Sequence, residues 1–309
     1  MALLAVVSAI DVLANAQHSN TTGNPNNAWT IKSLAFSRGS ISVLGNSRTD
    51  VFVRKGIRGK AHFITEGVYP DWSPDGLRIV FADAGNHAGK SEIFLINADG
   101  SNRKQLTHSK GGSSATTPAW SPDGSKIGFA MPDSPKTAAR IYVVDPDGNN
   151  LKPITTGISP QWSPDGRKLT FYRWATENRS SIWIANADGS EPRQITDETS
   201  MSLCPRWSPD GNKIVFSSNR DGHSAIYTVN PDGSGLQRIV YANDADFYYP
   251  ILSPDGTQLI VDTGRPFQMN GRPFIDEATT RVVLIRLNRT HATEILDKGH
   301  SPTVLWTKN

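Results

Sequence analysis

The chain has 309 residues, 37% of them hydrophobic and 20% charged, a composition that supports a large core and excludes global disorder. Its 32 basic and 29 acidic side chains leave a net charge of +3 with no basic run of five or more residues, which argues against a nucleic-acid footprint. The single cysteine, Cys204, excludes an internal disulfide and a zinc site built on paired thiolates.

Residues Ala2 to Ile10 have Ser8 as their one polar member, and the triplet Ala14-Asn15-Ala16 follows. A short apolar core ahead of a small-x-small triplet reads as a secretory signal over residues 1–16, which predicts a periplasmic or secreted protein. The run is too short to span a bilayer and nothing later is long and apolar enough, so no transmembrane segment is expected. Residues 17–34 read as an N-terminal linker and 35–309 as one closed β domain.

Five copies of one phrase organise that domain: Trp72-Ser-Pro-Asp-Gly76, Trp120-Ser-Pro-Asp-Gly124, Trp162-Ser-Pro-Asp-Gly166, Trp207-Ser-Pro-Asp-Gly211 and Leu252-Ser-Pro-Asp-Gly256, spaced by 48, 42, 45 and 45 residues. A proline stands two residues before each copy. Seven residues after its first position comes Ile79, Ile127, Leu169, Ile214 or Leu259, and nine after comes Phe81, Phe129, Phe171, Phe216 or Val261. Proline presets φ at the first corner of a tight turn and glycine takes the positive φ that closes it, so each phrase marks a hairpin between a first and a second strand. A third strand follows (Glu92–Ile96, Ile141–Val144, Ile182–Ile184, Ala225–Val229), then a second Asp-Gly turn and a fourth strand.

A four-stranded unit repeated every 40–50 residues is the sequence form of a propeller blade, whose faces are buried only against its neighbours. The segment 35–66 reads as a degenerate first blade, with Ser40–Leu44, Asp50–Arg54 and Ala61–Thr65 as its second to fourth strands. Ser301-Pro302-Thr-Val-Leu-Trp306 echoes the proline-led first strand and would complete that blade. The fold class is therefore all-β: a six-bladed β-propeller of four-stranded antiparallel blades, closed by a C-terminal strand.

The Pro-x-Trp-Ser-Pro-Asp-Gly phrase, the Ile-x-Phe strand and the Asp-Gly turn resemble the repeats of the TolB-like propellers, over roughly residues 35–306. The resemblance covers the WD-like repeats of that family and not the α/β domain that precedes them in TolB. It implies a protein-binding propeller of the bacterial envelope.

Alternating strand direction puts the short Asp-Gly turns on one face of the disc and the longer, varied loops on the other, where binding is expected. The candidates there are Arg173 and Trp174, Arg220 and His223, and Asp246 and Tyr248. The longest loop, Asp262–Thr280, adds Arg265, Phe267, Arg272 and Phe274 from its duplicated Gly-Arg-Pro-Phe phrase. Arg beside an aromatic suits a protein interface. Each aromatic has inter-blade packing as its other reading, and for the repeat tryptophans packing is the stronger one.

No Gly-x-Ser-x-Gly elbow, His-Glu-x-x-His, phosphate loop or dinucleotide fingerprint occurs, so no catalytic residue, metal or cofactor is assigned. The function expected is a non-catalytic, monomeric interaction scaffold of the bacterial cell envelope that binds an envelope protein or peptide. The alternative is a propeller lyase or hydrolase acting on carbohydrate or another small substrate over the central channel, with Asp246, Tyr248, Arg220 and His223 as its first candidates.

Overall fold

The Ser-Pro-Asp-Gly phrase closes on itself through local hydrogen bonds. In the first copy the Ser73 N–H donates to Arg78 O at 2.9 Å, the Gly76 N–H to Ser73 O at 2.8 Å, and the Leu77 N–H to Asp75 Oδ1 at 2.9 Å. Gly76 sits at φ +70°, and the glycines of the other four copies fall between +67° and +73°, where any side chain would be strained.

A computed structural model describes residues 29–41, 47–83, 90–109, 113–134, 138–264, 266–269, 272–275, 280–287 and 293–308. Blade A begins with β1 (Trp29–Ile41), β2 (Ser47–Lys55) and β3 (Ala61–Glu66). Blade B holds β4 (Val68–Trp72), β5 (Arg78–Asp83), β6 (Glu92–Asn97) and β7 (Lys104–Gln105). Blade C holds β8 (Thr116–Trp120), β9 (Ile127–Pro132), β10 (Ala139–Val144) and β11 (Lys152–Thr156). Blade D holds β12 (Ile158–Trp162), β13 (Lys168–Thr176), β14 (Arg179–Asn186) and β15 (Arg193–Gln194). Blade E holds β16 (Ser202–Trp207), β17 (Ile214–Ser218), β18 (Ala225–Val229) and β19 (Gln237–Val240). Blade F holds β20 (Asp246–Leu252), β21 (Gln258–Gly264), β24 (Arg281–Arg286) and β25 (Thr293–Lys298), with the hairpin β22 (Pro266–Met269) and β23 (Arg272–Ile275) inserted between its middle strands.

The last strand, β26 (His300–Lys308), pairs antiparallel with β1, giving the order β26-β1-β2-β3 and closing blade A with both ends of the chain. Each innermost strand touches the next around the ring, from β4 through β8, β12, β16 and β20 to β26 and back. This is the six-bladed, all-β propeller expected.

Blade A is phased differently from the expectation. The second strand is β1, starting at Trp29, so residues 29–34 belong to the blade and not to the linker, and the expected strand Ser40–Leu44 overlaps it only at Ser40 and Ile41. Ala35-Phe-Ser-Arg-Gly39 imitates the turn phrase, but Phe36 occupies the strand-two phenylalanine position: it is fully buried and stacks on Phe52 at 6.0 Å. Phe81, Phe129, Phe171 and Phe216 are buried in the same place; the first, second and fourth stack on Phe94, Tyr142 and Tyr227, Phe171 stands opposite Trp183 in the register, and their removal from water stabilises the blades. The expected signal segment and most of the linker lie outside the described residues.

The residue before the inner-strand proline has a positive φ in all six blades: Tyr69 (+54°), Thr117 (+49°), Ser159 (+55°), Cys204 (+52°), Tyr249 (+50°) and Ser301 (+51°). Each marks a bulge in strand pairing, which accommodates a proline that cannot donate to the ladder. Such backbone costs roughly 1–3 kcal/mol per residue. Bonds between neighbouring blades offset part of that cost. The Tyr69 N–H donates to Ser37 Oγ at 3.2 Å, the Ser159 N–H to Thr117 Oγ1 at 3.2 Å, and the Ser301 N–H to Asp262 Oδ2 at 3.0 Å.

Candidate functional site

The six bulged residues converge on the axis and close it. Tyr69 of blade B and Tyr249 of blade F approach to 6.1 Å between ring centroids. The cavity between Tyr69, Thr117, Ser159, Cys204, Tyr249 and Ser301 is only about 20 Å³, room for about one water molecule. Burial pushes the Cys204 thiol up to about 12 and raises the hydroxyls of Tyr69, Tyr172 and Tyr249. At neutral pH the Cys204 thiol and these three phenols are therefore uncharged. At this ring of residues the channel has room for little more than a water molecule.

At the loop-face mouth, β13 and β14 run longer than most of their counterparts and carry Trp174 outward. Trp174 is 43% exposed and stands edge-on to Tyr172, 5.7 Å away at 88°. The expected neighbour Arg173 is engaged by the aromatic pair of its own blade and by two threonines of blade C. Its guanidinium lies 4.1 Å from the Trp183 ring centre, its Nε donates to Thr156 O at 3.0 Å, and a terminal nitrogen donates to Thr155 Oγ1 at 3.1 Å. Arg220 is held in a similar way, 5.2 Å from the Tyr227 ring centre, with Nε donating to Ser218 Oγ at 3.2 Å and Asp197 at 4.0 Å. Sequence reading missed their equivalents Arg38, over Phe52 and paired with Asp297, and Arg103, over Phe94 and paired with Asp83. Each places an arginine over the stacked aromatic pair of its blade.

The structure does bring His223, Asp246 and Tyr248 together. Asp246 is 3% exposed; its Oδ1 accepts the Ser224 N–H at 2.7 Å and lies 3.5 Å from His223 Nδ1. The Tyr248 hydroxyl and Ser224 Oγ are 2.9 Å apart. Burial raises the Asp246 carboxyl above the usual carboxylate range, with the Ser224 N–H and His223 working against it. This orients the half-exposed imidazole from one side, as a carboxylate does for a histidine in acid–base or recognition roles. Ser224 Oγ is bonded to Tyr248 and not to His223, so the group is not a nucleophile–base pair.

The duplicated phrase forms the inserted hairpin, where the register sets Phe267 opposite Phe274 and Met269 opposite Arg272. Arg265 lies outside the described residues. Among the described residues no three His, Cys, Asp or Glu side chains converge, and no helix is long and apolar enough to cross a membrane. Of the lumen groups, Tyr69, Tyr172 and Asp262 were missed in the sequence. The signal that could have found Tyr69 is its place immediately before an inner-strand proline, which Tyr249 shares.

A sequence search of the curated proteins finds no match. Solved structures share the fold. A putative TolB from Agrobacterium tumefaciens matches at a TM-score of 0.62 and 18% identity, covering 90% of this chain and 99% of that one. TolB from Acinetobacter baumannii matches at 0.57 and 17%, covering 86% and 69%. A puromycin-hydrolyzing peptidase from Mycobacterium tuberculosis matches at 0.57 and 16%, covering 88% of this chain and 54% of that one, so only about half of the peptidase is represented. The family model of the TolB beta propeller domain matches residues 47–159 and 156–271, so together with the six closed blades it establishes that the chain belongs to the TolB β-propeller domain family.

Proposed function

We propose that this chain is a non-catalytic interaction scaffold of the bacterial cell envelope, a monomer that binds a protein or peptide segment across the loop-face mouth of its sealed channel. The observation that carries this reading is Trp174, a large aromatic held 43% exposed on an extended hairpin beside the channel tyrosines. A rigid exposed aromatic on a strand is the usual anchor of a protein interface. The family and the water-sized lumen support a docking surface over a substrate chamber. The apolar start and the Ala14-Asn15-Ala16 triplet support export.

The test is in-cell photo-crosslinking with p-benzoylphenylalanine at position 174, against a control at Leu236, which is 45% exposed on the turn face. One dominant envelope protein captured from 174 and not from 236 is the expected result. Identical capture from both positions, or none from 174, overturns the reading. Replacing Phe267, Arg272 and Phe274 together with Arg265 then asks whether the inserted hairpin shares the interface.

The His223–Asp246 contact favours one second reading, an acid–base site for a small substrate at the same mouth. Turnover of a carbohydrate or peptide substrate that His223→Gln abolishes, with partner capture unaffected, would select it.

A further inference from the structure

On the turn face, between blades C and D, lies an open groove of about 540 Å³, within the size range of ligand pockets. Its floor is largely apolar, formed by Trp162, Ile154, Pro122 and Pro164, and its rim carries Asp123, Asp165 and Asp188. Hydrogen bonds from Ser121, Ser163 and Ser190 hold these three carboxyls below the usual range, so they stay ionised at any ordinary pH.

The neighbouring gap shows what such a groove accepts. Six residues after each repeat tryptophan stands a basic residue: Arg78, Lys126, Lys168 or Lys213. In blade B it is Arg78, whose guanidinium lies 5.0 Å from the centre of the Trp120 ring of blade C, leaving Trp120 only 6% exposed. In blade C the same position is Lys126, but its ammonium is drawn away to the carboxylate of Asp145. The equivalent residues in blades B, D and E are the uncharged Asn97, Asn186 and Asn230. Trp162 is left without a cation over its ring among the described residues, and with the void in front of it.

The remaining charge favours a cation. Lys126 is paired with Asp145, Lys152 acts on Asp188 and Arg167 on Asp165, which leaves the rim net negative by the Asp123 carboxylate. A guanidinium fits better than an ammonium, since its planar fork can stack on an indole and bond carboxylates at its edge. A free amino acid would bring an α-carboxylate against the same rim, whereas a peptide bond brings none.

We propose that the groove between blades C and D binds an arginine side chain presented by a peptide segment of a partner protein, its guanidinium stacked on Trp162 and its N–H groups on Asp123 and Asp165. The site is separate from the loop face and does not depend on the reading given for it.

N-acetyl-arginine amide serves as the probe, titrated into the ¹⁵N-labelled full chain while the eight tryptophan indole N–H resonances are followed, with that of Trp162 identified by Trp162→Phe. The expected result is a saturable shift centred on Trp162, absent with the neutral N-acetyl-citrulline amide and weaker with free arginine. Lys126→Arg combined with Asp145→Asn installs the blade B pair and should weaken binding about tenfold or more by filling the groove from within. Conversely, Arg78→Ala should make Trp120 respond to the probe, which guards against a folding defect in the double variant. No saturable shift at Trp162, an equal shift with the citrulline probe, or undiminished binding to the double variant would overturn the proposal.

Discussion

Asp262 and His300 both lie at the ring closure, each bonded to Ser301, and titrate in opposite senses. Asp262 is 1% exposed; Oδ2 accepts the Ser301 N–H, Oδ1 has no partner, and burial raises the carboxyl to about 7. Between pH 4 and 7 the folded chain therefore holds a proton that the unfolded chain has released. Its contribution to stability is complete at the acid end and is lost as pH rises through 7. His300 has a buried Nε2 without a partner, and burial lowers its imidazole to about 4. Its contribution is present above pH 6.5 and is lost as pH falls from there towards 4. One proton's difference corresponds to about 1.4 kcal/mol per pH unit, so the two slopes cancel between pH 4 and 6.5. His300→Gln should unmask a stability that falls with pH across that window relative to the wild type. Asp262→Asn should unmask one that rises, and should stabilise the chain at pH 8 by a few kcal/mol, on the order of the lifted burial cost. Urea melts at half-unit pH steps read both. Parallel curves for the two variants would show that neither group titrates as its burial dictates.

Within blade D two adjacent residues have separable roles. Arg173 spans the aromatic stack and two threonines of blade C, so Arg173→Ala should cost about 1–2 kcal/mol of stability. Trp174→Ala should leave stability within about 0.5 kcal/mol and remove partner capture. Denaturant midpoints and pull-downs on the same two proteins decide this, and the reverse pattern would exchange their roles. The connection into the blade is more constrained. Gly157 has φ +150°, and a Cβ there would lie 2.5 Å from Phe171 Cδ2, so Gly157→Ala should lose more than about 2 kcal/mol. A melt within 1 kcal/mol of the wild type would mean that the Phe171 ring can move aside. These elements differ in how far the sequence reveals them. The five turn phrases place blades B to F because proline, glycine and the strand-two phenylalanine act locally and keep their spacing. Blade A was read out of phase because Ala35-Phe36-Ser37 imitates a turn while Phe36 packs as a strand residue. Arg173 and Arg220 were legible as positively charged loop-face residues, but their engagement with Trp183 and Tyr227 depends on cross-strand register. The meeting of His223 with Asp246, and of Tyr69 with Tyr249, depends on ring geometry that no local pattern encodes.

Across the whole molecule, stability rests on one seam. A blade buries its faces only against its neighbours, so an open ring leaves the flanking faces of blades A and F wet. The seam is held by the β1–β26 pairing, by Arg38 on Asp297, by the Gln258 amide on Trp29 O at 2.8 Å, and by Ser301 on Asp262. Its consequences reach the axis, because the lumen is sealed by side chains from blades B, D and F that meet only when all six blades are in place. Cys204 reports on this. It is the sole cysteine, 8% exposed, with its thiol held up at about 12, so the closed ring should react slowly with a maleimide at neutral pH. Deleting residues 300–309 removes β26 and leaves β1 as a long edge strand with Ile31 and Leu34 uncovered. The truncated chain should lose its sharp thermal transition and label at Cys204 faster by more than about tenfold, as expected when a buried thiol is released to solvent. Adding the peptide of residues 300–309 in trans should slow labelling in proportion to its occupancy, by mass action. If instead the truncated chain melts as sharply as the full one and keeps Cys204 protected, blade A closes without its C-terminal strand, and the stability of the disc must be carried by the five continuous blades alone.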